Sequence, residues 1–177
     1  MSAEERRAQI ERLLAEASEP VNAASLADLL GVTRQVIVSD VALLRAKGVR
    51  VAATPRGYLL NPEQPAGIPI QIVCRHSPDE TAEELYTIVD NGGAVTGVAV
   101  EHSLYGRISA EMHLYCRRDV QEFMERSQAE DVHLLSDLTD GLHLHTVVCP
   151  SQQACKYVLD ALRRKGFLLE PEKDGHG

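Results

Sequence analysis

The chain has 177 residues, enough for one large domain or two small ones. Its formal net charge is −8, but residues 1–62 hold 8 Lys and Arg against 7 Asp and Glu, while residues 63–177 hold 10 against 19. Contact with nucleic-acid phosphates, which needs local positive charge, is therefore confined to the first third of the chain. No run of about 18 apolar residues is present to span a bilayer. The charged start Met1-Ser2-Ala3-Glu4-Glu5-Arg6-Arg7 lacks the apolar stretch of a signal peptide, which predicts a cytoplasmic protein without a membrane partner. The cysteines Cys74, Cys116, Cys149 and Cys155 have no C-x-x-C spacing and read as buried thiols rather than disulfides.

Taken in chain order, Ile10, Leu13, Leu14 and Ala17 recur at helical spacing over residues 3–17. After Glu19-Pro20, the sequence Ser25-Leu26-Ala27-Asp28 has the form of a capping box for a second helix that ends at Gly31. Thr33 then caps a third helix carrying Val36, Ile37, Val41 and Leu44, which stops at Gly48. A short helix, a glycine turn and a longer helix make a helix-turn-helix, and Val49–Leu60 adds two short strands around Pro55-Arg56-Gly57, a wing with a basic tip. In such a unit Arg34 and Gln35 have the fork geometry for base edges. Thr33 and Ser39 can reach phosphates, and Arg45, Lys47, Arg50 and Arg56 add charge attraction. The partner this implies is double-stranded operator DNA.

Residues 63–69 contain the prolines and glycine of an extended linker, so the division expected is 1–62, a linker 63–69, and 70–177. Beyond it, Ile70–Cys74 reads as a strand, Ser77-Pro78-Asp79-Glu80 as a helix start, and the helix as running to about Asn91. A strand over Ala94–Val100, a loop over Glu101–Gly106 and a strand through Ile108, Ala110, Met112 and Leu114 come next. Helix 118–128, strand 143–149, helix 151–165 and a strand near 167–169 complete the order. The fold class is α+β, a winged helix-turn-helix followed by an α/β sandwich of ferredoxin-like type.

His143-Leu144-His145 is the most informative triplet. Alternate residues of a strand share a face about 7 Å apart, so both imidazoles can converge on one ion while Leu144 turns to the core. Nitrogen donors of this kind suit Zn, Ni, Fe or Mn. His76, at the end of a strand and beside a helix start, is a further candidate. Helical periodicity does not select Glu84 over Glu83. His113, His133 and His176 read as background. His102 and Tyr105 in a loop, with Arg107 after it, are candidates for hydrogen-bonding a small ligand or its carboxylate.

The chain resembles the niacin-responsive repressors, NiaR-like proteins that join a winged helix-turn-helix to a three-histidine (3H) domain. The resemblance rests on Thr33-Arg34-Gln35-Val36-Ile37-Val38, Ala42-Leu43-Leu44-Arg45 and Thr54-Pro55-Arg56-Gly57-Tyr58 in the first part. In the second it rests on Glu84-Leu85, Ile88-Val89-Asp90, Gly92-Gly93, Val100-Glu101-His102, Tyr105-Gly106 and Leu138–Thr146. It implies a divalent transition metal held by His76, Glu84, His143 and His145, with nicotinic acid or a related small carboxylate as co-repressor. Genes of niacin uptake or NAD synthesis would be the targets, and a homodimer the working form. Two departures stand out: the family's His-Pro-x-Tyr-Gly-Glu loop is here His102-Ser103-Leu104-Tyr105-Gly106-Arg107, with Ser for Pro and Arg for Glu. The competing readings are a metal-dependent hydrolase, for which Asp140 is the nearby carboxylate, and a metal-responsive regulator with another ligand.

Overall fold

Ser2 accepts a hydrogen bond from the Glu5 backbone N–H while the Glu5 carboxylate accepts one from the Ser2 N–H, and this capping box starts α1 (Ala3–Glu16). The computed structural model describes residues 1–130 and 132–171, in two units, Met1–Gln64 and Pro65–Gly177. His176 lies outside the described residues.

In the first unit α2 spans Ala23–Leu30 and α3 spans Arg34–Ala46. Asn22, not Ser25, caps α2: its Oδ1 accepts from the Ser25 N–H at 2.7 Å, so the free donors of the first turn are met before the Ser25 box begins. Gly31 ends α2 at φ 65, and Thr33 caps α3. Ile10, Leu14, Leu26, Ile37, Val41 and Leu44 form the core. Asp40 of α3 is buried among them at 2% exposure, where Arg6 Nε donates to it at 2.5 Å and Arg7 Nη1 at 3.3 Å. Burial of a carboxylate is tolerable only with such partners, so the pair of arginines fixes α3 against α1.

The wing is β1 (Val51–Thr54) paired with β2 (Gly57–Leu60). Val21 bridges Tyr58 through reciprocal bonds of 2.9 and 2.8 Å, which ties the wing to the entry of α2. Gly57, at φ 139, allows that approach: a Cβ there would lie 2.4 Å from the Val21 carbonyl.

The second unit runs β3 (Ile68–Arg75), a 3₁₀ turn (Pro78–Glu80), α4 (Thr81–Asp90), β4 (Ala94–His102) and β5 (Gly106–Leu114). It continues through α5 (Arg117–Ala129), a 3₁₀ turn (Leu135–Thr139), β6 (Leu142–Cys149) and α6 (Gln152–Arg164). Ile68 and Pro69, expected in the linker, already pair with Cys149 and Val148. The four strands are antiparallel in the order β3-β6-β4-β5. The α+β class and the βαββαβ order are as expected. In detail the second and fourth strands of this unit lie inside the sheet, whereas a ferredoxin-like sheet has its first and third there. Residues 167–169 form a bridge rather than a full strand, with Arg75 N–H donating to Phe167 and Leu169 N–H to Val73 along the edge of β3. Leu85 and Ile88 of α4, Val120 of α5 and Val158 and Leu162 of α6 pack with Ile72, Val95, Leu114 and Val147 in one core. No helix among the described residues is long and apolar enough to cross a membrane.

Gly57→Ala is expected to destabilise the wing by about 1–3 kcal/mol through backbone strain and the clash with Val21. Faster hydrogen exchange at the Val21 and Tyr58 amides, with the second unit unaffected, is the measurement that checks it.

Candidate metal centre and nucleic-acid interface

Strand β6 alternates strictly, with His143, His145, Val147 and Cys149 buried and Leu142, Leu144, Thr146 and Val148 only partly so. The expectation for Leu144 is therefore reversed: the imidazoles take the core face and Leu144 the other one. Across the ladder Cys74 is paired with His143 and Ile72 with His145, so β3 presents Ile72 and Cys74 to the same side. His76 follows just beyond β3. From α4, Glu84 enters at 0% exposure while its neighbour Glu83 turns outward to Lys165 Nζ at 2.8 Å.

Three imidazoles meet on this one carboxylate. His143 Nε2 lies 2.9 Å from Glu84 Oε2 and His145 Nε2 lies 2.5 Å from Oε1; His76 Nε2 also contacts Oε2. Each ring is held from behind by a backbone carbonyl: His76 Nδ1 by Ser77 at 2.8 Å, His143 Nδ1 by Gly141 at 2.8 Å, and His145 Nδ1 by Gly97 at 3.1 Å. A carbonyl only accepts, so each Nδ1 carries the proton, and any ring without a second proton turns its Nε2 lone pair to the carboxylate. Acceptors facing acceptors in a buried site need a cation among them, either protons on the rings or a metal ion. Burial alone would raise the Glu84 pKa, yet His145 and His143 outweigh it and hold the carboxyl below its usual range. For His143 burial works downward, and the Glu84 carboxylate and the Gly141 carbonyl overcome it, raising the pKa.

The structure thus brings together all four residues that the resemblance implied, and it adds one. Cys74 is fully buried, and its Sγ, a Glu84 oxygen and a His143 nitrogen lie within 4.8 Å of one another. Burial, and then the Glu84 carboxylate, push its thiol up. The signal was present as the i, i+2 spacing from His76, but the cross-strand partner was not visible. Cys149 and Cys155 are buried as expected, Cys116 is exposed, and all four cysteines are free.

A pocket of about 210 Å³ opens beside the three histidines, lined also by Thr81, Leu85, Glu111, Met112, Phe123 and Ser136. The Thr81 hydroxyl is buried there without a hydrogen-bond partner. His102, Tyr105 and Arg107 do not line it. Strands β4 and β5 continue further than expected, leaving a three-residue tip beyond the reach of β6. His102 Nδ1 accepts from the Leu104 and Tyr105 N–H groups, so it closes the turn, and Tyr105 is 74% exposed. Asp140 sits exposed in the turn before β6, at φ 51.

In the first unit, Arg34, Gln35 and Ser39 share an exposed face of α3 with Val38, a 39% exposed side chain that sequence reasoning passed over and that could meet a thymine methyl. Thr33 Oγ1 accepts from the Val36 N–H and Ser39 Oγ donates to the Gln35 carbonyl. Arg45 Nε donates to the Val51 carbonyl at 2.8 Å and so ties α3 to the wing, and Arg56 Nη1 reaches Glu19 at 3.3 Å.

Residues 69–171 match the 3H domain family and residues 6–59 an HTH domain family. The chain is 38% identical over 167 residues to the "Probable transcription repressor NiaR" of Thermotoga maritima, covering 94% of this chain and 95% of that protein. It is 37% identical over 168 residues to the "Transcription repressor NadR" of Bacillus subtilis, covering 93% of each.

Nitrogen-15 spectra of the imidazoles should show His76, His143 and His145 protonated at Nδ1. A neutral ring protonated at Nε2 alone in any of them would contradict the arrangement. Gly141, at φ 85, would place a Cβ 2.2 Å from the His76 carbonyl oxygen. Gly141→Ala should therefore displace the His76 segment, seen as a shift of the His76 ring signals although no site side chain has been altered.

Proposed function

The chain belongs to the NiaR/NadR family of transcription repressors, and on that premise we propose that it represses genes of niacin uptake or NAD synthesis, with nicotinic acid or a related small carboxylate as co-repressor. A divalent transition metal, of the Ni, Zn, Fe or Mn group, is the second component of this reading, held by His76, Glu84, His143 and His145. The observation that carries it is the set of three Nε2 lone pairs and one carboxylate, buried face to face. Borderline nitrogen donors with one carboxylate fit such an ion, and the carbonyl behind each ring is the support that metal-bound histidines require.

The pocket supports a small ligand. Its volume lies below the roughly 300–1,000 Å³ of sites for drug-sized molecules, which suits a single ring with one substituent. No Lys or Arg is among its described lining residues, which include Glu111 and His133, so an anionic group entering it would need the metal site as its main counter-charge. The bound metal would supply that positive charge. Thr81, whose buried hydroxyl has no hydrogen-bond partner, would orient the ligand in this reading. The hairpin residues His102, Tyr105 and Arg107 have no part in this version of the site.

Binding of operator DNA falls to α3, with Arg34, Gln35 and Ser39 toward base edges and phosphates, and to the wing through Arg56. A homodimer would space two such helices about one turn of DNA apart. Ligand and metal act as co-repressors if they bind more tightly to the DNA-competent arrangement than to the other one.

Promoter DNA titrated with metal-loaded and with chelated protein, each with and without nicotinate, is the direct test. Tight binding is expected only when metal and nicotinate are both present; affinity indifferent to nicotinate would overturn the co-repressor. His143→Ala and His145→Ala should each release metal, and unchanged metal content in both would overturn the ligand set. Arg34→Ala should cost about 1–3 kcal/mol of operator affinity, the worth of one bidentate base contact.

A further inference from the structure

We propose that Cys74 supplies a sulfur donor to the ion held by the three histidines and Glu84, making the site one of mixed nitrogen, oxygen and sulfur ligation. This rests on the metal reading above and specifies which ions the site accepts. Three observations carry it. Register places Cys74 directly opposite His143 on the core side of the sheet, two residues before His76, which lies just beyond the end of the same strand. Its Sγ is within 4.8 Å of both a Glu84 oxygen and a His143 nitrogen. The residue is fully buried, so the sulfur has no solvent to face and its polar neighbours are the site itself.

The chemistry balances simply. As the ion enters, the Cys74 S–H bond breaks, a sulfur–metal bond forms, and the proton leaves to solvent. A thiolate is softer than the imidazoles and the carboxylate, so its presence favours Zn, Co or Ni over Mn, which prefers oxygen-rich sites. Compared with the four-residue set implied by family resemblance, this chain has a donor that biases its choice of ion.

Cobalt(II) is the probe, because it reports site occupancy and sulfur ligation in separate bands. Full-length protein loaded with Co(II) should show visible d–d absorption together with an intense near-ultraviolet sulfur-to-cobalt charge-transfer band. Cys74→Ser should keep the d–d bands and lose the charge-transfer band, whereas Cys149→Ser and Cys116→Ser should keep both. Displacement of Co(II) by Zn(II) should also become less favourable relative to displacement by Mn(II) in Cys74→Ser. Visible bands without charge transfer in the unmodified protein would overturn the sulfur donor and leave the metal reading standing. Absence of any Co(II) binding would overturn both. If Cys74→Ser fails to fold, Cys74→Ala read by the same two bands decides the matter.

Discussion

The second unit is organised around a conflict of lone pairs. Three rings, each locked by a backbone carbonyl, and one buried carboxylate all present acceptors to a common point. Left uncompensated this would be among the costliest arrangements a core can hold. Compensation explains the architecture around it: an inner strand to carry two rings at fixed spacing, an edge strand to deliver the third, and the first turns of a helix to bring in the carboxylate. Each carbonyl comes from a different place, the loop after β3, the turn before β6 and the middle of β4, so the site gathers separate parts of the sheet into one set of constraints.

The sequence made some of this legible and not the rest. The His-x-His alternation is a local property of a strand, and it put both rings on one side of β6, where the structure has them. It did not say which face they take, because Leu144 and the histidines each satisfy a pattern of period two, and the sequence reading chose the wrong one. Glu84 and Glu83 are both plausible on a helix of one-sided amphipathicity, and only family resemblance separated them. Cys74 was legible as an apolar strand residue but not as a neighbour of His143, since cross-strand register is not written in either strand alone. The candidate ligand loop was drawn too long for a related reason: strand ends are weak signals, and the pairing of Glu101 with Arg107 and of His102 with Gly106 extends the hairpin, whose tip residues do not line the pocket. In the first unit the elements were clear from periodicity and glycine punctuation. The cap of α2 was misplaced because a good capping motif at Ser25 is overridden by a better-positioned Asn22.

Neighbouring glutamates of α4 show how a single register step divides labour. Glu83 makes an exposed ion pair with Lys165, a contact of the kind that contributes little. Glu84, one residue on, is enclosed with three rings. The difference lies in the 100° turn between successive helical residues, which the amphipathic pattern constrains only as a broad stripe. The same reasoning applies to α3, where Asp40 is enclosed while Ser39 remains at the surface.

Asp40 has a consequence for how an acidic chain approaches a polyanion. A free carboxylate in the middle of α3 would set a repulsive field on the face that must meet phosphates. With Arg6 and Arg7 bound to it, the local sum becomes positive, and the net −9 of residues 63–177 is left as the opposing charge. The molecule is therefore electrically polar along its own sequence, and diffusional encounter with a duplex is biased toward one unit before any specific contact forms. Added salt weakens that orientation over a Debye length of about 8 Å at physiological ionic strength, whereas the buried Asp40 pairs, screened far less, go on holding α3 against α1.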